Sequence, residues 1–146
     1  MNSGKGFDKM VFIDTNVFIA YLEEGDLFQK DAEKFFLKLE GASLVATASS
    51  VSLMELVYVL KKHKKTNKEI SKIIHLIFSI ENLKFLPITA DLIKEASDFI
   101  ESYNLGLSDA IVIATLSRLS ISDIVSEDSD FDKVPFIKRL HIRDII

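Results

Sequence analysis

The stretch MVFIDTN, residues 10–16, places Asp14 directly after a run of four apolar residues. Three more acids stand against apolar runs in the same way: Glu55 within LMELV, Asp109 at the start of DAIVIA, and Asp128 just after IVS. Charged residues are seldom deeply buried unless they are paired or bound to a metal. A chain that sets four acids against its most apolar segments therefore favours a site for a divalent cation.

The composition is that of an ordinary globular protein, and we expect residues 1–146 to form a single domain. There are no cysteines, which excludes disulfides and thiolate zinc sites. No apolar run is long enough to cross a membrane, so we expect a cytoplasmic protein without membrane association. The net charge is −4, from 22 acidic and 18 basic residues. Without these four acids the numbers of acidic and basic residues are equal, so the rest of the surface can still carry a local basic patch.

Short apolar runs alternate with longer segments of helical periodicity. The pattern predicts strands at 10–13, 44–47, 84–88, 123–126 and within 138–142, and helices at 16–22, 28–39, 50–62, 68–80, 89–103 and 109–119. Pro87 marks its strand as an edge strand or a strand end. The alternation predicts an α/β fold, a three-layer α/β/α sandwich around a mainly parallel sheet of four to five strands.

This topology brings the four acids to one edge of the sheet. Asp14 and Asp128 follow the first and fourth predicted strands, and ligands of open parallel sheets bind beyond the carboxyl ends of strands. Asp109 lies at the start of a helix, where the macrodipole favours a carboxylate. Glu55 lies in the second turn of the helix that follows the second strand. We therefore expect all four to face one cleft.

Each acid also has a purely structural interpretation. Asp14 suits a turn or a helix N-cap. Glu55 stands three residues after Ser52, which fits a capping box. Asp109 can sit in a first turn capped by Ser108, and Asp128 belongs to an acidic stretch typical of a solvated loop. These interpretations do not explain why all four acids reach the same edge.

Crowded carboxylates constrain the choice of ligand. Two carboxylates about 6 Å apart repel by roughly 3 kcal/mol at an effective dielectric of about 20. Four of them must raise their pKa values or bind a cation. Oxygen ligands without cysteine or a histidine cluster suit Mg²⁺ or Mn²⁺.

Four blocks of the sequence, in this order, resemble the motifs of the PIN-domain ribonucleases: residues 11–18, 52–56, 107–114 and 125–132. The similarity covers about residues 10–142. It implies a PIN-like fold and an endoribonuclease dependent on Mg²⁺ or Mn²⁺, of the kind found in VapC-type toxins of toxin–antitoxin pairs. The expected partners are an RNA substrate, an antitoxin protein that masks the cleft, and a second copy of the chain in a homodimer.

The resemblance also implies roles for particular residues. It assigns catalysis to Asp14, Glu55, Asp109 and Asp128, with Glu55 orienting or deprotonating the attacking water. The metal ligands would be Asp14, Asp109 and Asp128, with Asp130 as a further candidate that competes with Asp128 for the fourth position. Thr15, Asn16 and Ser126 would support the site.

A basic run follows Glu55 along the same predicted helix. It comprises Lys61, Lys62, Lys64 and Lys65. These side chains could hold RNA phosphates. Alternatively, they form a solvated helix end at which lysines are favourable to the dipole.

Two other functions remain open from the sequence. The Asp14 motif is similar to the nucleophile motif of haloacid-dehalogenase-type phosphatases. That motif needs a second aspartate two positions later, where this chain has Asn16, and a threonine where it has Phe18. The other alternative is a non-catalytic, metal-binding module for protein interaction.

Overall fold

The structure is a computed structural model and describes residues 10–146. Five strands form one parallel sheet in the order β3-β2-β1-β4-β5. The strands are β1 Met10–Ile13, β2 Val45–Ser49, β3 Leu83–Leu86, β4 Asp123–Val125 and β5 Lys138–Leu140. The helices are α1 Thr15–Leu22, α2 Gln29–Glu40, α3 Ser50–Lys62, α4 Asn67–Phe78, α5 Ala90–Tyr103 and α6 Leu107–Leu119. The predicted α/β class and parallel sheet are confirmed.

Strand β1 lies at the centre of the sheet and explains the unbroken apolar run that precedes Asp14. Its neighbours are β2 and β4, and Phe12 is in register with both Thr47 and Ile124. Successive side chains of a strand point to opposite faces. Val11 and Ile13 accordingly join the core beneath α1–α4, whereas Phe12 joins the core beneath α5 and α6. A strand that is covered on both faces is apolar throughout and does not alternate between apolar and polar side chains.

The order of the strands creates the crevice in which the acids meet. From β1 the chain moves outward through β2 to β3, and then returns to the other side of β1 through β4 and β5. The direction of winding therefore reverses between β1 and β4. In open parallel sheets this reversal opens a cleft at the carboxyl ends of the two strands.

Most predicted boundaries differ from the structure by one or two residues, and two of the differences have a clear physical reason. The strand predicted at 84–88 ends at Leu86, directly before Pro87, and it is an edge strand as the proline indicated. Helix α6 begins at Leu107 rather than at residue 109, because Gly106 is its N-cap. The interpretation of Ser108 as a cap is therefore wrong, since it lies within the first turn.

Two short 3-10 helices were not predicted: Ser129–Lys133, and Ile142–Asp144 near the carboxyl terminus. The first occupies the acidic stretch that the sequence suggested as a solvated loop. It is anchored by Phe131, whose side chain is fully buried against α5 and α6. Within residues 10–146, no helix is long and apolar enough to cross a membrane.

Replacement of Phe35 tests the core on the α1–α4 side. Phe35 is 0% exposed and meets the Phe36 ring edge-on at 5.4 Å between centroids. We expect Phe35→Ala to lower the free energy of unfolding by about 3–5 kcal/mol, because it removes a buried ring and leaves a cavity. Urea denaturation of metal-free protein measures this change.

The matched control is Leu37→Ala, on the same helix with 64% of the side chain exposed. It should change the free energy of unfolding by about 0.5 kcal/mol or less. Equal effects of the two variants would contradict the packing described for α2.

Candidate active site

Asp14 is buried at the point where β1 passes into α1. It is 7% exposed, and its backbone N–H donates to the carbonyl of Val125 at 3.1 Å, which joins the ends of β1 and β4. Asp14 is the N-cap of α1, where its Oδ1 accepts the N–H of Thr15 at 2.8 Å. A carboxylate at this position satisfies a free helix donor and complements the dipole. The capping interpretation is therefore correct, but it accounts for only one oxygen.

The second oxygen of Asp14 belongs to a hydrogen-bond network centred on Ser126. The Ser126 hydroxyl donates to Asp14 Oδ2 at 2.7 Å and accepts the backbone N–H of Asp128 at 3.0 Å. The Asn16 amide nitrogen donates toward the same serine at 3.3 Å and toward Asp14 Oδ2 at 3.4 Å. A hydroxyl offers one donor and two acceptor lone pairs. Ser126 uses all of them to fix the acids that follow β1 and β4 relative to each other.

Glu55 faces this network from α3. Its Oε1 accepts the hydroxyl of Thr15 at 3.2 Å, which links the second turn of α3 to the first turn of α1. The suggested capping box with Ser52 is wrong. The N-cap of α3 is Ser49, whose hydroxyl accepts the N–H of Val51 at 3.1 Å.

Asp109, Asp128 and Asp130 form the tightest part of the site. One carboxylate oxygen from each lies within 4.8 Å of the others. Asp109 projects from the first turn of α6, while Asp128 caps the first 3-10 helix by accepting the N–H of Asp130 at 2.9 Å. We call these three residues the acid cluster. Asp128 and Asp130 are both members, whereas Asp14 lies beside the cluster and not within it.

Burial and mutual repulsion change the proton affinity of these acids. Burial, followed by the negative charges of Asp128, Asp14, Glu55 and Asp130, raises the pKa of Asp109 from 3.8 to about 7. Burial also raises the pKa of Asp14, against the hydrogen bonds from Ser126 and Thr15. The pKa of Glu55 is raised by burial and then by the charge of Asp14. Such shifts occur where carboxylates are gathered without compensating cations.

Basic side chains do little to neutralise the site. Among the residues that the structure describes, Lys133 forms the one ion pair with the acid cluster, 3.3 Å from Asp130 Oδ1. Arg139 binds Asp132 with two hydrogen bonds of 2.9 Å and so keeps that acid out of the cluster. Sequence reasoning missed both cations. The i,i+3 spacing of Asp130 and Lys133 could have indicated the first.

The side chains present fit a hard divalent cation. At 4.8 Å and an effective dielectric of about 20, each pair of ionised carboxylates in the acid cluster repels by about 3 kcal/mol. The donors are all oxygens, which Mg²⁺ and Mn²⁺ prefer. Next to Asp14, the buried Oδ1 of Asn16 has no hydrogen-bond donor among the described residues. A cation held by these carboxylates would remove the repulsion.

The four lysines of the basic run are separated from the acids. Lys61 and Lys62 lie in the last turn of α3, and Lys64 and Lys65 follow its end. Glu55 lies in the second turn of this 13-residue helix, which is about 20 Å long and leads away from the carboxyl edge of the sheet. These lysines are therefore not part of the acidic site, and their contact with RNA phosphates stays a prediction.

The pattern of the PIN domain matches residues 11–137, which is most of the chain. The chain belongs to the PIN-domain family. It is 24% identical over 148 residues to ribonuclease VapC2 of Methanocaldococcus jannaschii, a match that covers 92% of this chain and 95% of that protein.

Solved structures of PIN-family proteins share the fold. The crystal structure of Mycobacterium tuberculosis VapC20, a sarcin-ricin loop cleaving toxin, has a TM-score of 0.71 at 20% identity and covers 88% of this chain and 97% of that one. A chain in a toxin–antitoxin complex from Klebsiella pneumoniae has a TM-score of 0.63 at 19% identity, with coverages of 88% and 95%. At this level of identity the likeness shows the fold alone.

Removal of metal should leave a distinctive dependence of stability on pH. The native state keeps the Asp109 proton up to about pH 7, whereas the unfolded chain loses it near pH 3.8. Between these values the native state binds more protons, so its stability falls as pH rises. The difference in pKa corresponds to a loss of about 4 kcal/mol in the free energy of unfolding. Because Asp109 is partly exposed to solvent, we expect a smaller loss of about 1–2 kcal/mol.

Urea denaturation in EDTA between pH 4.5 and 8 measures this loss. Asp109→Asn should reduce it, while Asp98→Asn, on the exposed face of α5, should reproduce the wild-type curve. A wild-type stability that increases over this range would contradict the electrostatics of the site.

Proposed function

We propose that this protein is a divalent-metal-dependent endoribonuclease that hydrolyses RNA phosphodiester bonds and acts as the toxin of a toxin–antitoxin pair. The observation that carries the proposal is the acid cluster, with Asp14 and Glu55 beside it, at the reversal point of the sheet. Membership of the PIN-domain family and similarity to a protein named as a ribonuclease support RNA as the substrate.

The acid cluster would hold Mg²⁺ or Mn²⁺ through Asp109, Asp128 and Asp130, with Asp14 as a further ligand. Such an ion supplies charge neutralisation at the phosphate and assists ionisation of water near neutral pH. Asp14 is held on both oxygens by Thr15, Ser126 and Asn16, so its carboxylate has a fixed orientation. Preorganised charge of this kind needs little rearrangement during the reaction.

Glu55 is best suited to move a proton. It is only partly buried, it keeps one carboxylate oxygen outside its bond to Thr15, and burial and the charge of Asp14 raise its pKa above the usual value of a glutamate. A general base is most effective when its pKa lies near the working pH. We assign Glu55 to accept the proton of the attacking water, and Thr15 to orient the Glu55 carboxylate.

The same family membership favours a nuclease over the two alternatives. A phosphatase of that type needs a second aspartate as general acid two positions after the nucleophile, but this chain has Asn16 there, and its amide nitrogen donates toward Asp14 Oδ2. That geometry disfavours a phosphatase that uses Asp14. A non-catalytic metal-binding module would need the acid cluster but not Glu55, which lies outside it.

The proposed partners follow from the toxin role. The solved toxin–antitoxin complex, in which one chain has the same fold, supports an antitoxin as partner. We propose that this antitoxin covers the acidic cleft and masks activity. We also propose that the protein acts in the cytoplasm and that it forms a homodimer.

Cleavage assays test the role of Glu55. With Mg²⁺ or Mn²⁺, the wild-type protein should cleave single-stranded RNA, and EDTA should stop the reaction. Glu55→Gln should lower the cleavage rate by about 10²–10⁴-fold, because a general base contributes that much. Quantified gel electrophoresis of a labelled RNA measures the rates.

The matched control is Glu40→Gln, an exposed acid at the end of α2. It should cleave at the wild-type rate. Full activity of Glu55→Gln, or cleavage in EDTA, would contradict the assigned mechanism.

Thermal unfolding tests the metal separately from catalysis. At 100 times its dissociation constant, an ion that binds only the native state adds about 2.7 kcal/mol to the free energy of unfolding. We expect Mn²⁺ to raise the melting temperature of the wild type. Asp128→Asn should lose most of the increase, although asparagine can still cap the 3-10 helix. Asp98→Asn should keep the increase, and an equal increase in all three proteins would exclude the acid cluster as the binding site.

A further inference from the structure

Three aromatic rings meet at the surface where α5 ends. The rings of Phe99 and Tyr103 stack with centroids 6.2 Å apart and an interplanar angle of 12°. Phe136, from the segment before β5, packs against both at 6.0 and 6.4 Å. We call these residues the aromatic platform. Phe99 and Tyr103 also contact the core beneath α5 and α6, which holds the platform in place.

Phe136 is exposed although two apolar residues close to it in the chain are buried. Its side chain is 44% exposed, although Val134 and Ile137 on either side are buried. The core is therefore closed by Val134 and Ile137 and does not require an aromatic residue between them. A large ring that is supported from below and open to solvent can stack on a further flat group.

Lys133 connects the aromatic platform to the acid cluster. Its Nζ lies 3.3 Å from Asp130 Oδ1 and 3.5 Å from the carbonyl oxygen of Asn104, the residue after Tyr103. The platform and the acids thus flank a single exposed ammonium group. The order along this surface is carboxylates, cation and aromatic rings.

This order matches the chemistry of a nucleotide chain. Single-stranded RNA presents flat bases that stack on aromatic side chains, joined by phosphates that bind cations. An approaching phosphate is repelled by the acid cluster unless cations lie close by, and Lys133 is such a cation. A peptide partner would use the apolar rings but has no need for the ammonium group between rings and acids.

We propose that the aromatic platform stacks an unpaired base of the RNA substrate next to the scissile phosphate, and that Lys133 contacts the phosphate between them. This inference rests on the proposed ribonuclease function and extends it to a subsite. Such a subsite selects single-stranded RNA, because paired bases do not expose their faces. It also makes binding tolerant of base identity, since every base has a π-face.

The first test measures binding without cleavage. All proteins carry Asp109→Asn, and fluorescence anisotropy follows a fluorescein-labelled oligoadenylate of about ten nucleotides in Mg²⁺. Adding Phe136→Ala should weaken binding by roughly 5- to 100-fold, which corresponds to the loss of one stacked base. Phe136→Tyr keeps the ring and should bind like the parent.

The matched control is Phe78→Ala. Phe78 is an aromatic residue with 60% exposure on α4, which packs on the other face of the sheet. It should not change binding. A separate variant, Lys133→Gln, should reduce the slope of log K against log salt by about 0.7, the value for one phosphate of a single strand.

The second test detects stacking directly. The chain contains no tryptophan, so Phe136→Trp introduces a single tryptophan into the platform, which can be excited selectively over the tyrosines. Oligoadenylate should quench its emission, whereas the Phe78→Trp control should remain unquenched. An RNA with abasic sugars in place of adenosines should bind weakly and show no further loss with Phe136→Ala.

The outcomes separate this inference from the ribonuclease proposal. Metal-dependent cleavage by the wild type, together with parent-like RNA binding by Phe136→Ala, would overturn the platform and leave the nuclease intact. Platform-dependent binding without cleavage would support the subsite and contradict the nuclease. If oligoadenylate fails to bind the parent, or if Phe136→Ala loses binding to an antitoxin and not to RNA, the platform is not an RNA subsite.

Discussion

The hydrogen bond from the Ser126 hydroxyl to Asp14, 2.7 Å long, ties together the ends of the two strands between which the winding of the sheet reverses. The same hydroxyl accepts the N–H of Asp128, so one serine sets the positions of the acids that follow β1 and β4. Thr15 extends the network to Glu55 on α3. The relative positions of three elements at the cleft therefore depend on short polar contacts around Asp14.

This arrangement holds negative charge at a cost in stability. Burial and repulsion raise the pKa of Asp109 to about 7, and Lys133 forms the one ion pair with the acid cluster among the described residues. A fold selected for stability alone would replace or pair such groups, because unpaired buried charge is destabilising. Charge without compensation is instead expected where a cation completes the site.

Most of the fold and much of the site follow from local sequence. The apolar run ending at Asp14 predicted a buried strand, because burial on both faces removes alternation. Pro87 predicted an edge strand or a strand end, because proline cannot donate to the sheet. The 3-10 helix at Ser129–Lys133 was not predictable, since it depends on the burial of Phe131 against distant helices. Whether Lys61 contacts RNA does not follow from the sequence, because its place on the same helix as Glu55 does not give the path of the RNA.

Anomalous diffraction from crystals grown with Mn²⁺ tests the central claim most directly, because it locates the ion independently of any activity. We expect an anomalous peak bounded by the carboxylates of Asp109, Asp128 and Asp130, adjacent to Asp14, and no peak there in crystals of Asp128→Asn. A peak elsewhere, or no peak at the acid cluster in saturating Mn²⁺ above pH 7, would contradict this site.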